Sequence, residues 1–285
     1  MIVERYNKED MGNEQVYAQR MEGNVDDKLI IFDFIRNKEP ERNNILDFGC
    51  GSGSIFKYLN TMHPSSISVG FDKSDFMLAR AKENYPNNIF LSTFEELNAF
   101  VVENGSFNYI ILNSLLHEIY SYEDGFTSVV EVLKILSRYL TNTGSIIVRD
   151  GVLDTTSCSN IHEIESFKLR NVEEARTFLN EYTYLSPFPN HLTIQDGNIT
   201  GIWYEVREFL NKYTWGFDSL YREAKEIVNF ASLEMYRNLF SKAGYVIEDM
   251  KLVKQEEYFT YLNKIIEVND SRWNTKIVFS AKKNV

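Results

Sequence analysis

The sequence predicts an α/β chain: a doubly wound, mostly parallel seven-stranded sheet with helices on both faces and an inserted α+β lid after the fifth strand. Three observations underlie that expectation. Short apolar runs alternate with segments of helical period between residues 44 and 150; three glycines alternate at the end of the first run; and the alternation stops near 151 and resumes near 231.

Residues 1–40 read as a helical cap segment, with LIIFDFI (29–35) as an apolar helix face stopped by Pro40, because proline blocks helix continuation. Ile45 to Phe48 is the first strand, followed by a glycine-rich turn and a helix in which Ile55, Phe56, Leu59 and Met62 recur at helical spacing. A second strand, Ile67 to Phe71, leads to Ser74 as the N-cap of a helix that Pro86 ends. Ile89 to Ser92 is a third strand before a short helix near 94–102. Phe107 to Asn113, the fourth, is apolar on both faces, as burial in a parallel sheet requires. Phe126, Val129, Val130, Leu133, Leu136 and Leu140 then form the stripe of a covering helix, and Ser145 to Arg149 is strand five. Such alternation implies right-handed crossovers.

Within the gap, LTIQDGNITGIWY reads as a β-hairpin on the Asp196-Gly197 turn, flanked by helices at about 160–181 and 203–229. After it, SLEMYRNLFSKAGY is a helix ending at Gly244, and Tyr245 to Lys254 and Lys276 to Lys282 close the sheet. The expected organisation is a cap segment at 1–40, a core at 41–150 and 231–285, and a substrate-binding lid at 151–230.

Composition narrows the function. With 44% hydrophobic and 25% charged residues, 285 residues hold enough apolar mass for a full core. The sequence opens without a signal-type apolar stretch and no later run suits a bilayer span, so a cytoplasmic location without a membrane partner is expected. Cys50 and Cys158 are read as free thiols. A formal charge of −11 would repel a polyanion unless basic residues clustered on one face, which makes nucleic acid a disfavoured partner.

Of only 14 glycines, three alternate in DFGCGSG, at Gly49, Gly51 and Gly53, where the first strand ends. Missing side chains let the backbone approach a ligand there, and the ends of such strands are where open α/β sheets bind ligands. Asp72 ends the second strand, placed to accept hydrogen bonds from both ribose hydroxyls of an adenosine group. The nicotinamide fingerprint G-x-G-x-x-G would demand glycine at 54, where the chain has Ser54. Asp47 puts a carboxylate at the end of strand one, which suits a cationic sulfonium or amino group better than a diphosphate.

ILDFGCGSG, VGFDKSDFMLARAKEN and FNYIILNSLLHEI resemble the successive motifs of the class I, Rossmann-like S-adenosylmethionine (SAM)-dependent methyltransferases, over roughly residues 40–150. The resemblance implies a strand order 3-2-1-4-5-7-6 with the last strand antiparallel, SAM as cofactor and S-adenosylhomocysteine as its product. It implies that Asp47, Gly49, Cys50, Gly51 and Gly53 line the methionine end, that Asp72 with Lys73 holds the ribose, and that Asn113 lies beneath the methionine moiety. After strand three the family often has an acidic residue followed by a small one. Here the residues are Ser92, Thr93, Phe94 and Glu95, so adenine recognition is expected from the Thr93 hydroxyl and the Phe94 backbone amide.

His117, one turn beyond Asn113, is a candidate general base, weighed against a histidine simply hydrogen-bonded at a helix start. Methyl transfer often needs no base, because positioning against a sulfonium can supply most of the acceleration. Arg149 and Asp150 follow strand five at the rim where an acceptor would lie. In the insertion, rich in aromatic residues, Arg207 and Trp215 are candidate acceptor contacts, although most of its rings are expected to form its own core. Tyr17, Arg20 and Lys28 are expected to close over the cofactor, with Tyr17 also a candidate acceptor contact. No metal is expected, since the four histidines lack ligand spacing and Asn113 with Asp150 lacks a third carboxylate. The sequence thus points to methyl transfer from SAM to an oxygen or nitrogen of a small-molecule acceptor, with a homodimer left open. The alternatives are an RNA or tRNA methyltransferase, which needs a basic face on the insertion, and a SAM-binding module without catalysis.

Overall fold

The structure is a computed structural model that describes residues 26–35, 43–267 and 273–284. Its main sheet holds seven strands: β1 (Asn44–Phe48), β2 (Ile67–Phe71), β3 (Ile89–Leu91), β4 (Phe107–Asn113), β5 (Leu140–Gly151), β9 (Tyr245–Val253) and β10 (Lys276–Lys283). Their order is β3-β2-β1-β4-β5-β10-β9, with β10 antiparallel to both neighbours and the others parallel where they pair. This is the expected order 3-2-1-4-5-7-6. Switching from β1 to either β2 or β4 leaves a crevice at the carboxyl ends of these strands, the place where an open sheet takes a ligand.

Strand period and register decide which residues share a face. Ile45, Ile111, Ile147 and Val278 lie on one face, packed with Ile31 and Phe32 of a 3-10 helix at Asp26–Phe34, with Ile35 just after it, and with Phe56 and Leu59. Asp47, Asn113 and Arg149 continue that face at the strand ends, since they alternate with these residues. Leu46, Phe48, Leu112 and Val148 point to the other face, where Val129, Leu133 and Leu136 of a helix at Gly125–Ser137 cover them. Asp150 continues this second face. The expected apolar helix at 29–35 is thus a tighter 3-10 turn, while Pro40, Tyr17 and Arg20 lie outside the described residues.

After β5 the chain builds a second, three-stranded antiparallel sheet in the order β6-β8-β7, from β6 (Ile164–Lys168), β7 (Thr193–Gln195) and β8 (Asn198–Ile202). The hairpin turns where expected, on Asp196 (φ +49°) and Gly197 (φ +77°), the two left-handed residues a two-residue hairpin loop requires. The helix expected at about 160–181 divides into edge strand β6 and a helix at Val172–Leu185 capped by Asn171. Only Phe167 of β6 is buried, so no period marked it as a strand. The helix expected at 203–229 breaks at Gly216 (φ +75°) into Trp203–Trp215 and Phe217–Glu223, followed by irregular chain to Ser232.

Five rings of the insertion form its own core, Phe167, Phe178, Tyr182, Phe209 and Tyr213, fewer than the majority expected; Tyr184, Tyr204 and Tyr221 are exposed. A helix at Glu256–Ile265, not read from the sequence, brings Phe259, Leu262 and Ile266 into that same cluster. Among the described residues no helix is long and apolar enough to cross a membrane.

Gly151 ends β5 where a methyl group would meet the Val228 backbone oxygen at 2.0 Å, an approach that only glycine allows. Gly151→Ala is expected to lower the unfolding free energy by about 1–3 kcal/mol through overpacking against backbone, measured as a lower urea midpoint at unchanged slope.

Candidate active site

Each alternating glycine of the turn adopts a positive φ: +83° at Gly49, +52° at Gly51 and +83° at Gly53. The turn hangs from β2, because the backbone N–H groups of Gly49 and Cys50 both donate to the Phe71 carbonyl, at 2.7 and 3.0 Å. Asp72 then ties the turn to the next helix: the Gly51 N–H donates to its Oδ2 at 2.7 Å and the Ser74 N–H to its Oδ1 at 2.9 Å. Both carboxylate oxygens keep a further lone pair for a ligand. Burial raises the Asp72 pKa, a tendency those two backbone N–H groups oppose.

Cys50 fits between glycines for a steric reason. It is buried, its thiol lies 2.8 Å from where a Cβ on Gly70 would stand, and burial raises its pKa well above the ordinary value. The thiol is a space-filling group rather than a nucleophile.

Asp47 is 3% exposed, and its Oδ1 has no hydrogen-bond partner among the described residues. Burial pushes its carboxyl up to about 7, against the opposing pull of the Lys28 ammonium. Ser52, inside the turn, likewise has a buried hydroxyl without a partner among the described residues. Two orphaned polar atoms beside a glycine cradle are what a bound polar ligand would satisfy. The carboxylate calls for a cationic donor. Lys28 reaches this edge, donating from Nζ to Ser54 Oγ at 3.0 Å. Arg149 Nη1 donates to Asn113 Oδ1 (3.4 Å) and Ser114 Oγ (3.2 Å), so Asn113 and Arg149 meet as expected.

Asp150 points to the other face, is fully buried, and accepts from the N–H groups of Leu116 (2.7 Å), His117 (3.2 Å) and Gly151 (2.7 Å). His117 Nδ1 lies 2.6 Å from its Oδ1, and His117 Nε2 lies 3.7 Å from Glu226 Oε2. Burial works against the imidazolium, but Asp150 and Glu226 outweigh it and hold the ring pKa at about 10. A ring that keeps its proton at neutral pH and faces a carboxylate from each nitrogen is not poised to accept another, so the geometry fits the hydrogen-bonded alternative.

Glu226 comes from the insertion, as does Arg222, which donates to Glu226 Oε1 (3.1 Å) and Glu118 Oε1 (2.9 Å). Burial would raise the Glu226 pKa, yet Arg222 and His117 hold it at about 2. His117, Glu118 and Glu226 place ligand atoms within 4.8 Å of one another, close enough for a metal ion. Arg222 already supplies positive charge to both carboxylates. The sequence missed this cluster, although Arg222 and Glu226 stand four residues apart within the helix expected at 203–229 and could have been read as a pair.

Two further candidates, Thr93 and Arg207, are placed differently from expectation. Thr93 is committed to a capping box: its hydroxyl accepts from the Glu96 N–H, and its own N–H donates to Glu96 Oε2. Phe94 keeps its backbone amide at the helix start, as expected, and packs its ring at a tilt against Phe71 and Phe48. Arg207, expected at the acceptor, lies between the indoles of Trp203 (4.9 Å) and Trp273 (4.7 Å) and is paired with Glu165 and Ser157. It pins the segment after β5 to the insertion. Trp215 is half-buried in the last turn of its helix, beside the break at Gly216, and Lys73 is exposed next to Asp72.

A family model described as a methyltransferase domain matches residues 40–211. The chain is 44% identical over 54 residues to an uncharacterized phycocyanin operon protein W of Pseudanabaena tenuis, 18% of this chain and 51% of that protein. It is 26% identical over 107 residues to ribosomal RNA small subunit methyltransferase C of Photobacterium profundum, 38% of this chain and 31% of that protein. Each match thus spans about half or less of the curated relative. Among solved structures, the plantazolicin methyltransferase BpumL, crystallised with a pentazolic desmethyl analogue and SAH, superposes with a TM-score of 0.51 at 13% identity, over 95% of this chain and 90% of that one. The fold, the glycine turn and the family match over more than half of the sequence agree: the chain belongs to the methyltransferase-domain family, among the class I SAM-dependent methyltransferases.

Proposed function

We propose that the chain is an enzyme that moves a methyl group from SAM to an oxygen or nitrogen of a small-molecule acceptor. The observation that carries this is the orphaned, buried Oδ1 of Asp47 beside the glycine turn, a carboxylate without a donor where the α-ammonium of SAM would supply one. Bound there, SAM supplies a sulfonium methyl open to in-line attack. The backbone of residues 49–53 lines its methionine end, with Asn113 beneath. Asp72 offers its remaining lone pairs to the ribose hydroxyls. Recognition of adenine falls to the Phe94 backbone amide at the start of its helix, because the Thr93 hydroxyl is engaged in its capping box. His117 serves as a positioning residue: its imidazolium fixes Asp150 at the end of β5 and Glu226 of the insertion, and so aligns the insertion over the sheet edge. Acceleration then comes from holding the acceptor in line with the methyl group, and the proton that a hydroxyl or amine acceptor loses passes to solvent water at the open crevice, so the chain itself supplies no base.

A small acceptor is supported by the charge of −11 and by the way the arginines of the insertion are used. Of its four arginines, Arg207 and Arg222 are buried in ion pairs and Arg170 donates to the carbonyls of Asn263 and Ile266, so only Arg176 stands exposed without such a contact among the described residues, short of the basic face that RNA would need. The rRNA methyltransferase relative keeps RNA as the second reading.

Incubation with methyl-labelled SAM and a metabolite extract is expected to yield labelled small molecules and no labelled RNA. Labelled RNA instead would select the second reading, and SAM binding without any transfer would select the non-catalytic module. Asp72→Ala is expected to weaken S-adenosylhomocysteine binding about tenfold or more, the scale of a lost charge-assisted hydrogen bond, measured by calorimetry.

The raised pKa of His117 makes stability depend on pH. A ring near 10 when folded and about 6.5 when unfolded contributes fully below pH 6.5, and that contribution is lost as pH climbs through 10. The stability gap between wild type and His117→Gln is therefore expected to be widest at pH 6.5 and to narrow towards pH 10 in urea titrations.

A further inference from the structure

The chain leaves β4 through a backbone that its residue does not favour. Ser114, directly after Asn113, has a φ of +58° and is one of two described non-glycine residues in the left-handed region, the other being Asp196 of the hairpin turn. A left-handed residue that carries a Cβ is strained, glycine would avoid the strain, and such outliers gather where a site needs them. The Ser114 N–H still donates to the Arg149 carbonyl, at 2.6 Å, so the turn stays on the sheet. What it breaks is the alternation of the strand. Instead of pointing away from Asn113, the Ser114 hydroxyl comes round to the same face, where Arg149 Nη1 reaches Ser114 Oγ at 3.2 Å and Asn113 Oδ1 at 3.4 Å. Leu115 is swung against the glycine turn, its side chain 2.9 Å from where a Cβ on Gly49 would stand.

The hydroxyl accepts from a guanidinium, and among the described residues nothing accepts from it. It has one proton to give. The charge on Arg149 polarises the O–H, which makes Oγ a poor partner for a second donor and its hydrogen a strong one. Ser114 is half-buried, within reach of a ligand at the strand end. A donor fixed beside the reacting centre separates the two kinds of acceptor atom. A hydroxyl oxygen can take one hydrogen bond and keep a lone pair for the methyl group. A neutral amine has a single lone pair, and a hydrogen bond to it blocks the attack.

Resting on the SAM reading, with Asn113 beneath the methionine moiety, we propose that Ser114 is a catalytic residue that donates to the reacting atom of the acceptor, and that this atom is a hydroxyl oxygen. A hydrogen bond to the deprotonated form favours it, so Ser114 lowers the pKa of the acceptor hydroxyl, an effect that a carboxylate, already ionised, does not need. The acceptor proton passes to solvent water. One lone pair of the oxygen forms the new C–O bond while the electron pair of the broken C–S bond stays on sulfur, leaving S-adenosylhomocysteine. The strain fits this use: glycine at 114 would relax the backbone and remove the donor.

The test gives the full chain methyl-labelled SAM and a metabolite extract, and assigns the labelled product by mass fragmentation. A methyl ether is expected. Ser114→Ala is expected to slow its formation about tenfold at neutral pH, the scale of a hydrogen bond to a charged group, and to move the rise of rate with pH upward by about one unit. S-adenosylhomocysteine affinity, measured by calorimetry, is expected to change less than about threefold. Ser114→Gly, which folds without the left-handed strain, is expected to show the same loss of rate. An N-methyl product or a methyl ester from wild type, which needs no variant to fold, overturns the proposal alone. So do wild-type rates in both variants, or a slowed rate whose pH profile has not moved. Loss of S-adenosylhomocysteine affinity in the variants also overturns it, by giving the hydroxyl to the cofactor. Should wild type bind no S-adenosylhomocysteine or methylate nothing in the extract, the reading as a SAM enzyme falls and the role of Ser114 with it.

Discussion

One carboxylate joins the parts of this molecule. Asp150 ends β5 with no exposure to water, takes three backbone N–H groups, and holds the imidazolium of His117, whose other nitrogen faces Glu226 of the insertion. A carboxylate buried this deeply is costly unless it is paired and hydrogen-bonded, and each of its contacts meets that cost while linking β5 to the helix after β4. Arg222 repeats the pattern one layer out, between Glu118 of the core and Glu226. The insertion is thereby fixed to the sheet by buried charge as well as by apolar packing.

Much of the core was legible because its signals are local. Apolar runs, the three alternating glycines and the Ser74 cap each report their own backbone, and strands and turn lie where these residues expect them. The residues proposed to hold the cofactor could be read for the same reason, since Asp47, Asp72 and Asn113 all lie at strand ends. Residues beyond β5 resisted. Phe167 is the lone buried member of β6, and an edge strand with one buried side chain has no period to detect. The helix at Glu256–Ile265 joins a cluster formed by residues far upstream, a long-range association that composition does not announce.

Roles failed to follow from position for a similar reason. His117 and Arg207 occupy plausible places along the chain, yet what each does depends on partners over thirty residues away, Asp150 and Glu165. Thr93 was the exception: its capping box with Glu96 was visible at three-residue spacing, and a hydroxyl already accepting a backbone N–H has less to offer adenine. Charged groups in this insertion serve mostly as struts. Lys28 and Lys276, from opposite ends of the sequence, come together only because the sheet sets β10 beside β5.

The packing of Cys50 against Gly70 has a practical side. Its thiol is sealed beneath the glycine turn and its pKa is raised, whereas Cys158 is partly accessible on the segment that Arg207 pins. A maleimide dye would therefore attach at one position of the native chain. That position lies in the connection between β5 of the larger sheet and β6 of the smaller one, so its fluorescence would report on the surroundings of that connection.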